Sequence, residues 1–200
     1  MLLAAEIRVP GGTQVDSALR AGTTVLVRCT QKLLRLLRKK PEEVGDTPKG
    51  VLTEWYANLL WIERRKCILF TDSASLYSFL VADIRKSDLG DFRSFLGRYL
   101  AASLVNHGIQ PRAVPSLSSD DDLRLARTRD RVVLGCMTEI AFHYKWHIAS
   151  EGGLATADLL IIERKINEMP MSPLEHVTPL NTLSRQISDL PRASLIDPPS

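Results

Sequence analysis

Three side chains spaced four residues apart, Glu139, His143 and His147, are the clearest candidates for chemistry. In a helix this spacing places them along one edge, and two imidazoles four residues apart can hold one divalent metal. Tyr144 follows the first histidine, where the zinc-protease motif has its general-base glutamate, so that motif is incomplete. Two interpretations stay open, a metal-assisted hydrolase and a pair of structural histidines bonded to backbone groups. We favour the second, and the sequence therefore predicts no cofactor.

A second candidate is an anion site at a predicted strand-to-helix junction that contains Arg28, Thr30 and Lys32. Free N–H groups at a helix N-terminus attract anions, and flanking cations add to that attraction. No glycine-rich loop accompanies the junction, which excludes a Walker-type phosphate site. The alternative is ordinary capping by Thr30 beside a solvated basic face.

The basic residues around this junction also suggest a nucleic-acid contact. Residues 28–40 hold six basic residues and no acidic one, and Arg65 and Lys66 lie in a predicted turn. Together they could form a patch for phosphates. However, no helix-turn-helix, zinc-finger or RNP signature is present, and the chain as a whole has only 26 basic against 23 acidic residues.

Two further residues are singled out by their positions in predicted elements. Asn58 is a polar residue in an aromatic and aliphatic strand, so it must find hydrogen-bond partners if it is buried. Arg131 follows Asp130, which is well placed to cap a long helix. No catalytic serine elbow or cysteine–histidine signature appears, so we do not expect an enzyme. The candidate ligand-binding residues are Arg28, Thr30, Lys32, Asn58, Arg65, Lys66 and Arg131.

The elements that must position these residues predict an α+β fold. It consists of an antiparallel β-meander with one or two further strands, packed with about four helices in a single domain. Alternating or continuous apolar runs predict strands over residues 24–30, 54–63, 67–71, 76–81 and 122–127. Apolar residues at helical spacing predict helices over residues 31–40, 88–106 and 131–150, and a last helix that begins at Ala155 or Thr156 and runs to residue 168.

Composition sets the domain limits. With 200 residues, 44% of them hydrophobic, the chain can bury one core without disulfides, and its three cysteines suggest a reducing, cytoplasmic location. All aromatic residues lie between Trp55 and Trp146. We therefore predict a loose N-terminal extension over residues 1–22, a single α+β domain over 23–174 and a flexible C-terminal tail over 175–200. A stripe in that tail could still dock on the domain or on a partner: Leu180, Leu183, Ile187 and Leu190.

Several short stretches together resemble one bacterial family. They are Arg28–Leu34 (RCTQKLL), Trp55–Leu59 (WYANL), Arg64–Cys67 (RRKC), Asp130-Arg131 and Pro170–Pro173 (PMSP). The chain resembles the family built on domain of unknown function 6933. The resemblance implies a bacterial, cytoplasmic, mixed α and β domain and implies no activity. Where the family has polar residues after Asp-Arg, this chain departs from the pattern at Val132, Cys136, Thr138 and Glu139.

The sequence therefore predicts a non-catalytic binding or regulatory module that contacts a protein or an anionic ligand. It predicts no membrane association, because no apolar stretch approaches the length of a membrane span. One alternative is nucleic-acid binding through the helix 31–40 and the turn 64–66. The other is the metal-assisted hydrolase centred on Glu139, His143 and His147.

Overall fold

A computed structural model describes residues 24–43, 52–110 and 123–189. The strands in these ranges are β1 (Val25–Cys29), β2 (Glu54–Ile62), β3 (Arg65–Asp72), β4 (Ser78–Val81) and β5 (Leu123–Arg127). The helices are α1 (Gln31–Leu37), α2 (Phe92–Asn106), α3 (Arg131–Ser150), α4 (Leu159–Asn167) and α5 (Pro179–Ser188). None of these helices has the length and apolar character needed to cross a membrane. The predicted α+β class is confirmed.

The strands form one mixed sheet in the order β4-β3-β2-β1-β5. The predicted meander is confirmed, because β2, β3 and β4 pair antiparallel to one another. Its first hairpin turns at Glu63 and Arg64, whose φ angles of 49° and 65° are typical of a tight two-residue turn. The other two strands run parallel to the meander's first strand, with β1 paired between β2 and β5.

Both faces of the sheet are covered by helices. Trp55 and Ala57 of β2 belong to the core on one face, which also contains buried residues of α1, α2 and α5. The intervening Tyr56 and Leu60 belong to the core on the other face, together with α3 and α4. This alternation follows the two-residue period of a strand. Trp61 lies near the end of β2, four residues beyond the last pair that β2 makes with β1. Its side chain is 54% exposed.

Helix ends differ from the predicted ones for reasons visible in the backbone. α1 ends at Leu37 rather than residue 40, because Arg38 adopts a left-handed conformation with φ 55°. α2 begins at Phe92 rather than residue 88, since Asp91 caps it by accepting a hydrogen bond from the Ser94 N–H at 3.0 Å. The segment before it, Lys86–Leu89, is a short 3₁₀ helix.

The structure also differs from the predicted domain limits near the C-terminus. Residues 179–188, placed in the predicted flexible tail, form α5. Leu183 is fully buried in the core shared with α1 and α2. Of the predicted apolar stripe, Leu180, Leu183 and Ile187 therefore pack on the domain itself, and Leu190 lies outside the described residues. Residues 1–22 and 190–200 lie outside the described residues, and their assignment stays a prediction.

Candidate anion-binding site

The helices that follow the neighbouring strands β1 and β5 pack on opposite faces of the sheet. These neighbouring strands are parallel, so their carboxyl ends lie at the same edge. The helix after β1 packs on one face through Leu33 and Leu34, whereas the helix after β5 packs on the opposite face through Val133 and Met137. Where adjacent parallel strands lead to helices on opposite faces, the chains diverge and leave a crevice, which is where open sheets bind ligands.

Arg28 is the buried charge at this edge. It lies in β1 between Tyr56 of β2 and Ala126 of β5, and its side chain is only 3% exposed. Its Nε donates to the Glu54 carboxylate, and its Nη1 donates to the Arg127 carbonyl at 3.3 Å. Its Nη2 is buried and has no hydrogen-bond partner among the described residues. A buried, charged N–H group without an acceptor is unfavourable by about 1–3 kcal/mol or more, so the site favours an acceptor beyond the described residues.

Glu54 balances the charge of that guanidinium. Its side chain is 11% exposed, and its second oxygen accepts a hydrogen bond from the Ser73 hydroxyl at 3.1 Å. Both carboxylate oxygens are therefore engaged within the protein. Because Arg28 and Glu54 are together neutral, any net positive charge at this edge must come from other residues.

Exposed cations supply that charge. Arg127 is the last residue of β5, Arg131 is the first residue of α3, and both side chains are exposed, as is Arg129 between them. The one acid in this stretch, Asp130, is engaged as the cap of α3, where its Oδ1 accepts from the Val132 and Val133 N–H groups at 2.7 and 3.2 Å. Residues 127–131 therefore carry a net positive charge beside Arg28.

Polar groups of β2 complete the edge. Thr30 is the N-cap residue of α1, as predicted, but its hydroxyl makes no capping bond and instead donates to Asn58 Oδ1 at 3.1 Å. Since that oxygen is engaged, the amide nitrogen is the group that Asn58 can offer to a ligand. The Tyr56 hydroxyl accepts from the Asp130 N–H at 3.2 Å, which ties β2 to the start of α3. Burial raises the pKa of Tyr56, so its hydroxyl keeps its proton and can donate it in a hydrogen bond.

Five of the seven predicted ligand-binding residues are placed at this edge by the parallel strands and the helices that follow them: Arg28, Thr30, Lys32, Asn58 and Arg131. The other two are not. Arg65 pairs with Ile62, five residues beyond Ala57, where β1 ends. At about 3.3 Å per residue that is roughly 17 Å further along β2. There Arg65 contacts Asp83 at 3.3 Å, and Lys66 lies over the Trp61 ring at 5.5 Å.

The sequence analysis missed four residues of this edge: Glu54, Tyr56, Arg127 and Arg129. Their roles depend on which strands are neighbours: β1 pairs with residues 28 positions away in β2 and about a hundred positions away in β5. One local signal was available. Three arginines alternate with polar residues immediately before a capped helix, over residues 127–131.

The histidine edge of α3 holds no third ligand. Glu139 is exposed, while His143 and His147 are half-buried and make edge contacts with neighbouring aromatic rings. Burial lowers the pKa of His147, and the nearby Lys165 lowers it further. Across the part of the chain that the structure describes, no three His, Cys, Asp or Glu side chains converge as metal ligands would. The hydrolase alternative is left with the spacing of its residues as its support.

Sequence comparison identifies a family model that matches most of the chain. A family model described as "Domain of unknown function (DUF6933)" matches residues 26–182 of the chain. The matched region includes the whole edge described above and reaches into α5. Comparison with curated proteins gives no significant match.

Proposed function

The chain belongs to the DUF6933 family, and we propose that it is a non-catalytic module that binds an anionic ligand at the carboxyl ends of β1 and β5. One observation carries the proposal, the buried Nη2 of Arg28 that has no acceptor among the described residues. An oxygen of a carboxylate or phosphate group would supply that acceptor. The exposed arginines of residues 127–131 would balance the ligand's charge.

The proposal is for binding rather than catalysis because the edge offers donors and few reactive groups. Its carboxylates, Glu54 and Asp130, are engaged by Arg28 and by the start of α3. Burial raises the pKa of Tyr56, so its phenolate form is disfavoured, and the raised pKa of Cys29, about 12, disfavours a thiolate. Such an arrangement holds and orients an anion but provides no activated nucleophile.

Calorimetric titration with inorganic phosphate at constant ionic strength tests the proposal. Arg129→Gln combined with Arg131→Gln should weaken binding about tenfold or more, because charge-assisted hydrogen bonds contribute about 1.5–3 kcal/mol each. The matched control is Arg65→Gln combined with Lys66→Gln, which removes the same charge about 17 Å away along β2. Equal weakening by both pairs would indicate general charge attraction instead of this site.

A protein contact through α3 is a second candidate function. Phe142 and Trp146 lie one turn apart on its outer face and are 64% and 57% exposed. Adjacent exposed aromatic residues favour a partner that covers them. Proteins retained by the wild-type chain and lost with Phe142→Ala combined with Trp146→Ala would support this function. The same retained proteins in both cases would argue against it.

Nucleic-acid binding remains an alternative with narrower support. α1 exposes Lys32 and Arg35, with Arg38 following, but it is shorter than predicted and lies far along β2 from the basic hairpin. Affinity for generic DNA or RNA that falls steeply with salt would support it.

A cytoplasmic location is part of the proposal too. It is supported by three unpaired, buried cysteines, Cys29, Cys67 and Cys136.

A further inference from the structure

A second set of buried polar residues lies beside β4, the outermost strand on the side of the sheet opposite to β5. There α2 and α4, which cover opposite faces, meet at the outer edge of β4. Asn167 of α4 pairs with the open edge of β4, accepting from the Ser78 N–H at 2.8 Å and donating to the Ser78 carbonyl at 2.7 Å. Arg164 donates to the Asn106 carbonyl of α2 at 2.6 Å. These bonds hold both helices across the edge strand.

Beneath these bonds, four side chains from three elements form one hydrogen-bonded chain. The Ser103 hydroxyl of α2 lies 2.6 Å from Glu163 Oε1 of α4 and 2.7 Å from the hydroxyl of Tyr77, the residue before β4. That Tyr77 hydroxyl lies 2.9 Å from His107 Nδ1. The Glu163 and His107 side chains are only 6% and 1% exposed, so the chain is shielded from solvent.

We propose that this chain, the Glu163 latch (Tyr77, Ser103, His107 and Glu163), is a pH-sensitive device. Proton uptake by Glu163 tightens α4 against α2, and proton release loosens them. The hydrogen bonds can accommodate both states. When Glu163 is protonated, its O–H donates to Ser103, Ser103 donates to Tyr77, and Tyr77 donates to His107 Nδ1. When it is ionised, Ser103 donates to Glu163, Tyr77 donates to Ser103, and Nδ1–H donates to the Ser103 carbonyl, 3.0 Å away.

The ionised state is the weaker one because, among the described residues, the basic group that faces the carboxylate is the neutral imidazole of His107, whose Nδ1 lies 3.5 Å from Glu163 Oε1. The groups that face Glu163 are the Tyr77 hydroxyl, Ser103 of α2, His107 immediately after α2, and Tyr144 of α3. Burial lowers the pKa of His107 more than the hydrogen bond to the Ser103 carbonyl raises it, and the opposing effects of Arg164, which lowers it, and Glu168, which raises it, are smaller. The net pKa is lowered, so the imidazole is neutral near pH 7. Burial likewise raises the pKa of Glu163 from 4.5 to about 7.

The direction of the pH effect follows from this raised pKa. A carboxyl that binds its proton more tightly in the closed state stabilises that state at low pH, and this stabilisation is lost as the pH rises through about 7. If Glu163 regains its ordinary pKa when α4 opens, the opening equilibrium should increase about tenfold between pH 6 and pH 8.

Hydrogen exchange of the full-length chain, followed by mass spectrometry, tests the latch. Corrected for intrinsic exchange rates, α4 amides should exchange about tenfold faster at pH 8 than at pH 6. Glu163→Gln keeps the shape and the acceptor oxygen but cannot ionise, so its exchange should not change over this range. Glu139→Gln, which neutralises an exposed carboxyl of α3, should behave as the wild type does.

A second variant tests the same claim independently. The Ser103 hydroxyl bond lowers the pKa of Glu163, so Ser103→Ala should move the midpoint of the exchange profile to higher pH. Equal pH dependence in the wild type and Glu163→Gln would overturn the proposal. So would an unshifted midpoint in Ser103→Ala, which remains measurable should Glu163→Gln fail to fold.

Discussion

Two buried polar regions lie at opposite sides of the same sheet and differ in whether their buried charge is paired. The crevice edge at β1 pairs a permanent cation, Arg28, with a carboxylate, Glu54. The Glu163 latch at β4 has a carboxyl group that, among the described residues, faces a neutral histidine rather than a cation. A salt bridge between groups with widely separated pKa values stays charged across the physiological range, whereas an unpaired buried acid titrates within it.

The difference shows which kind of substitution each region tolerates. At the crevice edge, removing one partner leaves the other charge buried and unpaired. In the latch, removing the charge relieves the penalty of burying it. Neutralising substitutions at the two regions should therefore change stability in opposite directions, and that contrast is the first property to test.

Arg28→Met should produce the largest effect. The Glu54 side chain is only 11% exposed, and the substitution removes the guanidinium that pairs with its carboxylate. We expect the free energy of unfolding in urea to fall by about 3–5 kcal/mol at pH 7. Combining it with Glu54→Gln should restore at least half of the loss, because no buried charge then remains. A loss below about 1 kcal/mol in the single variant would show that the pair is not buried as described.

Glu163→Gln should have the opposite sign at high pH. Because the wild-type carboxyl has a pKa of about 7, it must ionise in a buried site at pH 8, whereas glutamine stays neutral. We expect the variant to be more stable than the wild type by on the order of 1–3 kcal/mol at pH 8, and the two to be similar at pH 5. Parallel urea titrations at both pH values measure this. A variant that is less stable at pH 8 would mean that the carboxylate is favourably solvated or paired.

Tyr77→Phe removes a hydroxyl that contacts both Ser103 and His107. We expect a loss of about 1–3 kcal/mol in unfolding free energy, because polar partners are left buried without it. Tyr99→Phe in α2 is the matched control, since that residue is 36% exposed and its change should be within about 0.5 kcal/mol. Equal effects of the two substitutions would place the Tyr77 hydroxyl outside the network.

Thr30→Val should have the smallest effect. It removes the hydroxyl that donates to Asn58 Oδ1 at 3.1 Å in a half-buried position. A cost of about 0.5–1.5 kcal/mol in thermal or urea unfolding is expected. Thr30→Ser, which keeps the hydroxyl, should retain most of the stability. If Thr30→Ser loses more stability than Thr30→Val, the methyl group contributes more than the hydrogen bond.

Local sequence pattern predicted the elements better than their arrangement. The alternation from Trp55 to Ile62 gave the meander strand, and Asp130 caps α3 as predicted. The parallel placement of β5 beside β1 was not predicted, because that pairing joins residues about a hundred positions apart and leaves no periodic signal in either strand. Without it, the arginines of residues 127–131 could not be assigned to the same edge as Arg28.

Composition misplaced the C-terminal limit for a similar reason. The absence of aromatic residues from residues 175–200 predicted little burial there, yet Leu183 fills a fully buried position in the core. Leu180 and Ile187 pack beside it on the same core, as the amphipathic spacing of the segment indicated was possible. Whether such a helix docks depends on whether other elements already cover the sheet face beneath it. The sequence of the tail carries no information about that.

The most direct test of the anion site is a nuclear magnetic resonance titration of the ¹⁵N-labelled chain with inorganic phosphate at constant ionic strength. We predict saturable shifts for the Nε–H of Arg28, the Asn58 side-chain amide and the backbone amides of residues 127–131, with residues 63–66 unchanged. Shifts that do not saturate, or that are as large at the hairpin as at the carboxyl ends of β1 and β5, would contradict the account.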